Sequence, residues 1–317
     1  MKTKSKLLVA IAAGFIISNG LNPAYCAEDI SLSLNFKVGD KYLCSSEINQ
    51  TVTQTIDDEK QTMQLNLAME QGEDVIAIDS LGNIEIEITY ERIKVNQSFG
   101  AISSEYDSDN PPDYIEPGMK GFDYMVGKKI IVGLSPLGKV VWMDGAAELV
   151  DSMIAVMDIP ESPQRESVIS DIKGRFGADA LTQSLEQVYC YIPDRAVKVG
   201  DSWRNESNLN FGFGMKISSN YNLISSNGLT CIISDSSTVM SLPELSRITF
   251  GEITTDYQIS GDRHGTIEID LESGRPIDAE IHFGFSGTMT VSSKIFDKPQ
   301  TWPIEAEGIT RTRHTRR

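Results

Sequence analysis

Between Gly145 and Tyr191 the apolar residues recur at helical spacing, and no other stretch of the chain does this over a comparable length. Ala146, Leu149, Val150, Met153, Ile154 and Met157 form one stripe of a 3.6-residue period. Pro160 ends that helix, because it has no N–H to donate and its ring disfavours helical geometry in the residue before it. A second helix is expected from Ser162 as N-cap and Pro163 as first helical residue, turning Val168, Ile169, Ile172 and Phe176 inward. A third runs from about Ala178 to Cys190 with Leu181, Leu185, Val188 and Tyr189 on one side, and Pro193 closes it. Helices this short are not stable alone, so their stripes must pack on something larger.

What flanks them is β sequence. Two blocks open with the same four residues, Lys37-Val38-Gly39-Asp40 and Lys198-Val199-Gly200-Asp201, with an aromatic two positions on, Tyr42 and Trp203. In the first block Leu32, Leu34 and Phe36 alternate, as do Met63, Leu65, Leu67 and Met69, so each strand has one wet face. Ile84, Ile86, Ile88 and Tyr90 continue the pattern, and the parity then switches to Ile93 and Val95, which predicts a β-bulge near Glu91. The segments 79–83, 135–139 and 272–276 read as hairpin loops, each with a glycine where φ needs to be positive. In the second block Ile267, Ile269 and Leu271 pair with a strand carrying Ile277, Ala279, Ile281, Phe283 and Phe285, the last two on the buried face.

The chain begins with an export signal. Lys2, Lys4 and Lys6 precede an apolar run from Leu7 to Ile17, too short to span a bilayer, and small residues around Ala24 to Ala27 offer cleavage. Tyr25 stands before Cys26, where lipoprotein processing wants a small residue, so the soluble form is favoured over an acylated one. Loss of the three lysines moves the net charge from −17 to −20, which disfavours nucleic acid and anionic membrane as partners. The basic end, with Arg311, Arg313, His314, Arg316 and Arg317, reads as a solvated tail. Cys44, Cys190 and Cys231 remain after processing; an oxidising compartment would allow one pair to bridge, and buried thiols are the first expectation.

No chemistry-bearing motif survives inspection. The only histidines are His264, His282 and His314, Ser286 lacks the spacing of a nucleophile elbow, and no glycine-rich phosphate loop opens a helix. Asp107, Asp109 and Asn110 have a Ca²⁺-like spacing, but the prolines that follow interrupt the run, and a solvated acidic loop is the better account. No catalytic residue, metal ligand or cofactor is therefore assigned, and the chain is not expected to be an enzyme.

Tyr106-Asp107-Ser108, Val126-Gly127, the turn from Leu134-Ser135 through Gly138-Lys139-Val140-Val141 to Gly145, the helical stretch, and Pro193 followed by Val197 to Trp203 resemble a family of exported bacterial β-rich proteins and lipoproteins, classified only as a domain of unknown function. The resemblance implies export and a β-rich fold with a helical insert, and carries no catalytic residues.

The expected architecture is α+β and mainly antiparallel: two β halves, read as a pseudo-repeat, form a curved sheet or half-barrel around a central three-helix insert. The boundaries are a signal peptide at 1–27, an N-terminal β half at 28–145, the insert at 146–192, a C-terminal β half at 193–305 and a basic tail at 306–317. Met153, Ile154 and Met157 of the insert, with Phe283 and Phe285, are the candidate contacts for a hydrophobic or lipid-like small molecule on the concave surface; methionine adapts to a variable apolar partner. The alternative is an envelope structural or protein-interaction module without a small-molecule ligand. The expected location is periplasmic or extracellular, with no transmembrane segment.

Overall fold

A computed structural model describes residues 29–317 with the exception of 163, 211–213, 251 and 295. The expected signal peptide and the Pro163 helix start lie outside the described residues. In chain order the elements are β1 (Lys41–Ile56), β2 (Glu59–Ile78), β3 (Ile84–Phe99), β4 (Ile102–Asp107), α1 (Lys120–Met125), β5 (Lys129–Leu134) and β6 (Val140–Asp144). Then come α2 (Ala146–Val156), α3 (Arg165–Phe176) and α4 (Ala178–Tyr189). The second half holds β7 (Ser202–Asn210), β8 (Gly214–Ser226), β9 (Thr230–Ser241), β10 (Arg247–Phe250), β11 (Ile253–Asp270), β12 (Pro276–Ser292) and β13 (Gln300–Arg316). All thirteen strands belong to one antiparallel sheet of order β6-β5-β3-β2-β1-β13-β12-β11-β9-β8-β7, with β4 beside β3 and β10 beside β11.

The sheet is open, and it curls. Its two ends contribute to one core: Ile86, Ile93 and Val132 from one side and Tyr221, Leu223 and Ile233 from the other share a hydrophobic cluster with Leu149 and Met153 of α2. Helix α4 touches both terminal strands, β6 and β7, so it occupies the gap through which a closed barrel would hydrogen-bond. The extended segment 30–36 plugs the end of the curl beneath the turns. Ile30 bridges Val197, Leu34 N–H donates to Pro136 at 2.8 Å, Asn35 N–H donates to Ser273 at 2.9 Å, and Leu32, Leu34 and Phe36 are buried. The alternation of Leu32, Leu34 and Phe36 suggests a strand, but these residues lie outside the sheet, and Ile30 makes only an isolated bridge to Val197.

The two halves open alike. In each Lys-Val-Gly-Asp turn the Asp carboxylate accepts from the Lys backbone N–H, at 2.9 Å for Asp40 and 3.0 Å for Asp201. The glycine then takes a left-handed conformation, φ 92° at Gly39 and 94° at Gly200. Each turn also docks on its second strand in the same way: Gly39 N–H donates to Val75 and Gly200 N–H to Leu223. Each is followed by an up-and-down meander laid out in the same direction along the sheet. The predicted bulge is there as well, because Glu70 pairs with Arg92 and Gln71 with Tyr90, leaving Glu91 unpaired in the β2–β3 ladder.

The chain end corrects an expectation. Residues 306–317 are not a solvated tail; nearly all of them belong to β13, which pairs with β1 on one side and β12 on the other and joins the two halves. The arginines that suggested a tail are ion-paired to carboxylates of neighbouring elements, Arg311 with Glu280, Arg313 with Asp278, Arg316 with Asp40 and Arg317 with Glu91. Strand β12 likewise runs unbroken through Gly287.

Candidate functional site

The side chains expected to meet a ligand fall into separate places. Met153 and Ile154 are buried in the main core, and Met153 and Met157 pack on Gly121 of α1, where an added Cβ would lie 2.9 Å from Met153 Cγ and 3.2 Å from Met157 Sδ. Phe283 and Phe285 lie on β12, stacked with centroids 5.2 Å apart. Phe283 lies over Gly308 of β13, and Phe285 contacts two smaller clusters distinct from the methionines' core. The aromatics are thus on the inner face of the sheet, whereas the helix stripe packs into the main core and against α1.

Cross-strand register shows what lies beside Phe285. Residues directly opposite in antiparallel strands project to the same face. Phe285, Ala306, Val52, Met63, Phe99 and Ile102 are successive partners across β12, β13, β1, β2, β3 and β4. On one side this row is covered, since Phe285 packs against buried Ile217 and Val239. On the other it runs out to solvent, with Met63 40%, Phe99 46% and Ile102 72% exposed. On the opposite face a row from β11 to β1 carries His264, His282, Ile309 and Asn49, and the two imidazoles stack with centroids 5.4 Å apart. Helix α3 reaches β10 across the inner side and has only Ile172 buried, whereas α2 has five buried residues. Sequence reasoning missed this row because it is transverse to the strands: its members come from six separate segments.

Two buried polar groups flank the core. In the second half Arg263 of β11 pairs with Asp235 of β9 at 2.8 Å and donates to Gln187 of α4 at 3.0 Å and Ser219 of β8 at 3.3 Å. Cys190 Sγ lies 2.8 Å from the Tyr221 hydroxyl, and Trp203 Nε1 donates to the Tyr191 carbonyl at 2.9 Å. Burial pushes the Cys190 thiol and the Tyr221 phenol up, which keeps both protonated. The arrangement fastens the end of α4 to β7, β8, β9 and β11.

The other group lies at the seam between the halves. Arg275, from the β11–β12 turn, is ion-paired with Glu73 of β2, and its guanidinium lies 4.3 Å from the Tyr42 ring centroid and 5.3 Å from that of Phe36. Burial lowers the Arg275 pKa to about 10, which leaves it charged at neutral pH. Beside it, Cys44 of β1 and His314 of β13 are direct cross-strand partners. Burial pushes the Cys44 thiol up to about 11; burial and then Arg275 hold the His314 imidazole well below its usual range. Cys44, Cys190 and Cys231 are all buried free thiols, so no disulfide joins them. In the acidic loop Arg92 pairs with Asp109 at 2.6 Å and Lys94 with Asp107 at 2.9 Å, which occupies the carboxylates whose spacing resembles a Ca²⁺ loop. Among the described residues no helix is long and apolar enough to cross a membrane.

A family of unknown function (DUF6263) matches residues 81–276, well over half of the chain. The chain belongs to this family. Its match covers β3 to the β11–β12 turn, including the whole helical insert and Arg275. No curated protein matches. Among solved structures, a lipovitellin described for its lipid–protein interactions is 8% identical over 89% of this chain and 25% of that one, with a TM-score of 0.43. This DUF6263 chain therefore spans a quarter of the lipovitellin chain. An outer membrane channel from Pseudomonas putida F1 is 6% identical over 89% of this chain and 97% of that one, with a TM-score of 0.21. Both values lie below the level at which a shared fold is established.

Proposed function

We propose that the protein is exported and acts without catalysis as a binder of a hydrophobic or lipid-like molecule, held against the inner face of its open sheet. The observation that carries this is the apolar row from Phe285 to Ile102. It starts beneath side chains of the second half and becomes more exposed strand by strand, so an elongated apolar molecule could enter from β4 and bury its far end at Phe285. Each methylene removed from water in this way contributes about 0.8 kcal/mol. Helix α3, with its single buried residue, is the element of the insert best suited to adjust over such a ligand.

Protein purified without detergent should release an apolar compound on organic extraction, and native mass spectrometry of the stripped protein mixed with lipids should show uptake of one molecule. A clean apo mass with no uptake would remove this reading. The exposure of Met63, Phe99 and Ile102 would then favour the second one, an envelope interaction module that presents this edge to another protein. Export itself is checked by the mass of the native protein, which should lack the first 26 or so residues.

A further inference from the structure

The proposed ligand surface makes no use of the seam, where three potential metal-binding side chains meet. One donor atom each from Cys44, Glu73 and His314 lies within 4.8 Å of the others, and all three residues are buried. The His314 ring hydrogen-bonds to the backbone of Pro276, which has no N–H, so the ring must donate to the carbonyl. Its other nitrogen, Nδ1, is buried and has no hydrogen-bond partner. A neutral imidazole that donates through one nitrogen presents a lone pair on the other, and a buried acceptor left without a donor is unfavourable. A Lewis acid held there would satisfy that lone pair, and Glu73 Oε2 is likewise buried without a hydrogen-bond partner. A backbone carbonyl fixing the remote ring nitrogen is also how ligating histidines are commonly oriented.

We propose that Cys44, His314 and Glu73 form a buried site for one soft monovalent metal ion of the Cu(I) class, with Cys44 Sγ and His314 Nδ1 as principal ligands. The proposal is independent of the apolar row. Thiolate and imidazole are ligands that copper accepts, and thiolate selects soft ions. Bonds of about 2.3 Å to sulfur and about 2.0 Å to nitrogen span about 4.3 Å in line, so donors within 4.8 Å reach bonding distance after a small contraction.

Charge selects the valence. Glu73 is already paired with Arg275, so the Cys44 side chain is the ligand left to compensate the charge of an added cation. On loading, the Sγ–H bond breaks, an Sγ–metal bond forms, the proton leaves to solvent and no electron is transferred. A monovalent ion thereby replaces a proton and leaves the buried charge unchanged. A divalent ion would leave one positive charge uncompensated beside Arg275, which a water-poor interior resists.

The test is an anaerobic titration of reduced full-length protein with Cu(I) against a chromophoric chelator, with Ag(I) as a redox-inert probe and Zn²⁺ in parallel. One equivalent of Cu(I) or Ag(I) should bind, with Zn²⁺ at least about 100-fold weaker, and X-ray absorption should show one sulfur and at least one nitrogen neighbour. Cys44→Ser and His314→Gln should each weaken Cu(I) binding by about 100-fold or more, while Cys231→Ser should leave it unchanged. Unchanged affinity in folded Cys44→Ser overturns the proposal. Should that variant not fold, the wild-type measurements decide: no stoichiometric Cu(I), a sulfur-only site, or tighter Zn²⁺ than Cu(I) each overturns it.

Discussion

Arg275 and Glu73 form a buried ion pair that ties the turn between β11 and β12 to β2, an element of the other half. Desolvating two charges is costly, so such a pair need not be worth more than an apolar contact of equal volume, but half of it is far worse than either. Arg275→Met is expected to cost about 3–5 kcal/mol, because it leaves the Glu73 carboxylate buried without its cation. Arg275→Met combined with Glu73→Leu should recover most of that loss. Chemical denaturation of the two single variants and the double variant measures the coupling; strictly additive losses would show that the pair does not act as a unit.

His314 makes stability sensitive to mild acid. Its folded pKa is pushed well below 6.5, by burial first and by Arg275 second. The unfolded chain therefore binds a proton below about pH 6.5 that the folded chain refuses, so stability is fully present above that pH and falls as pH drops, by up to about 1.4 kcal/mol per unit. Carboxylates such as Glu91, held low by Arg317, act only at lower pH. Unfolding free energies at pH 7.0, 6.0 and 5.0 should show this slope in the wild type and a flatter one in His314→Gln. Equal slopes would assign the acid sensitivity elsewhere.

Much of the architecture is legible in the sequence where the signal is local. The stripe through Leu149 and Met153, the parity switch after Tyr90 and the glycine-containing loops at 79–83 and 135–139 are each signals within one segment, and each recurs in the structure. Alternating Thr and Arg suggests a solvated tail, but it is also what a strand with a charged outer face and a small polar inner face looks like, and composition alone does not separate the two. What makes Arg311 and Arg313 structural are Glu280 and Asp278 on β12, a relation across strands. The same holds for both candidate sites: Val52 beside Met63 and Phe99, and Cys44 beside His314, arise from register, which one sequence does not reveal. Helix α1 was missed because six residues are too few to establish a period.

The paired turns predict paired responses. Gly39 and Gly200 have nearly the same positive φ, and an added Cβ would meet nothing within 4 Å at either. Alanine there strains only the backbone, at a cost of about 1–2 kcal/mol. Gly39→Ala and Gly200→Ala should therefore lower unfolding free energy by similar amounts. A much larger loss at one site would mean that the two turns carry unequal loads in holding their halves together.

The apolar row and the helix stripe should respond to different substitutions. Met63 and Phe99 are direct partners at the open end of the row and are 40% and 46% exposed, so Met63→Asp with Phe99→Asp alters ligand entry while removing little packing. The double variant should retain its thermal transition within a few degrees and lose most lipid uptake in native mass spectrometry. Met157→Trp makes the opposite disturbance, because Met157 packs closely on Gly121 of α1 and a larger ring must displace that contact. It should cost about 1–3 kcal/mol and leave uptake intact. If uptake instead fails in Met157→Trp and survives in the aspartate variant, the ligand lies among the helices, and Met153, Ile154 and Met157 rather than the sheet row are what it touches.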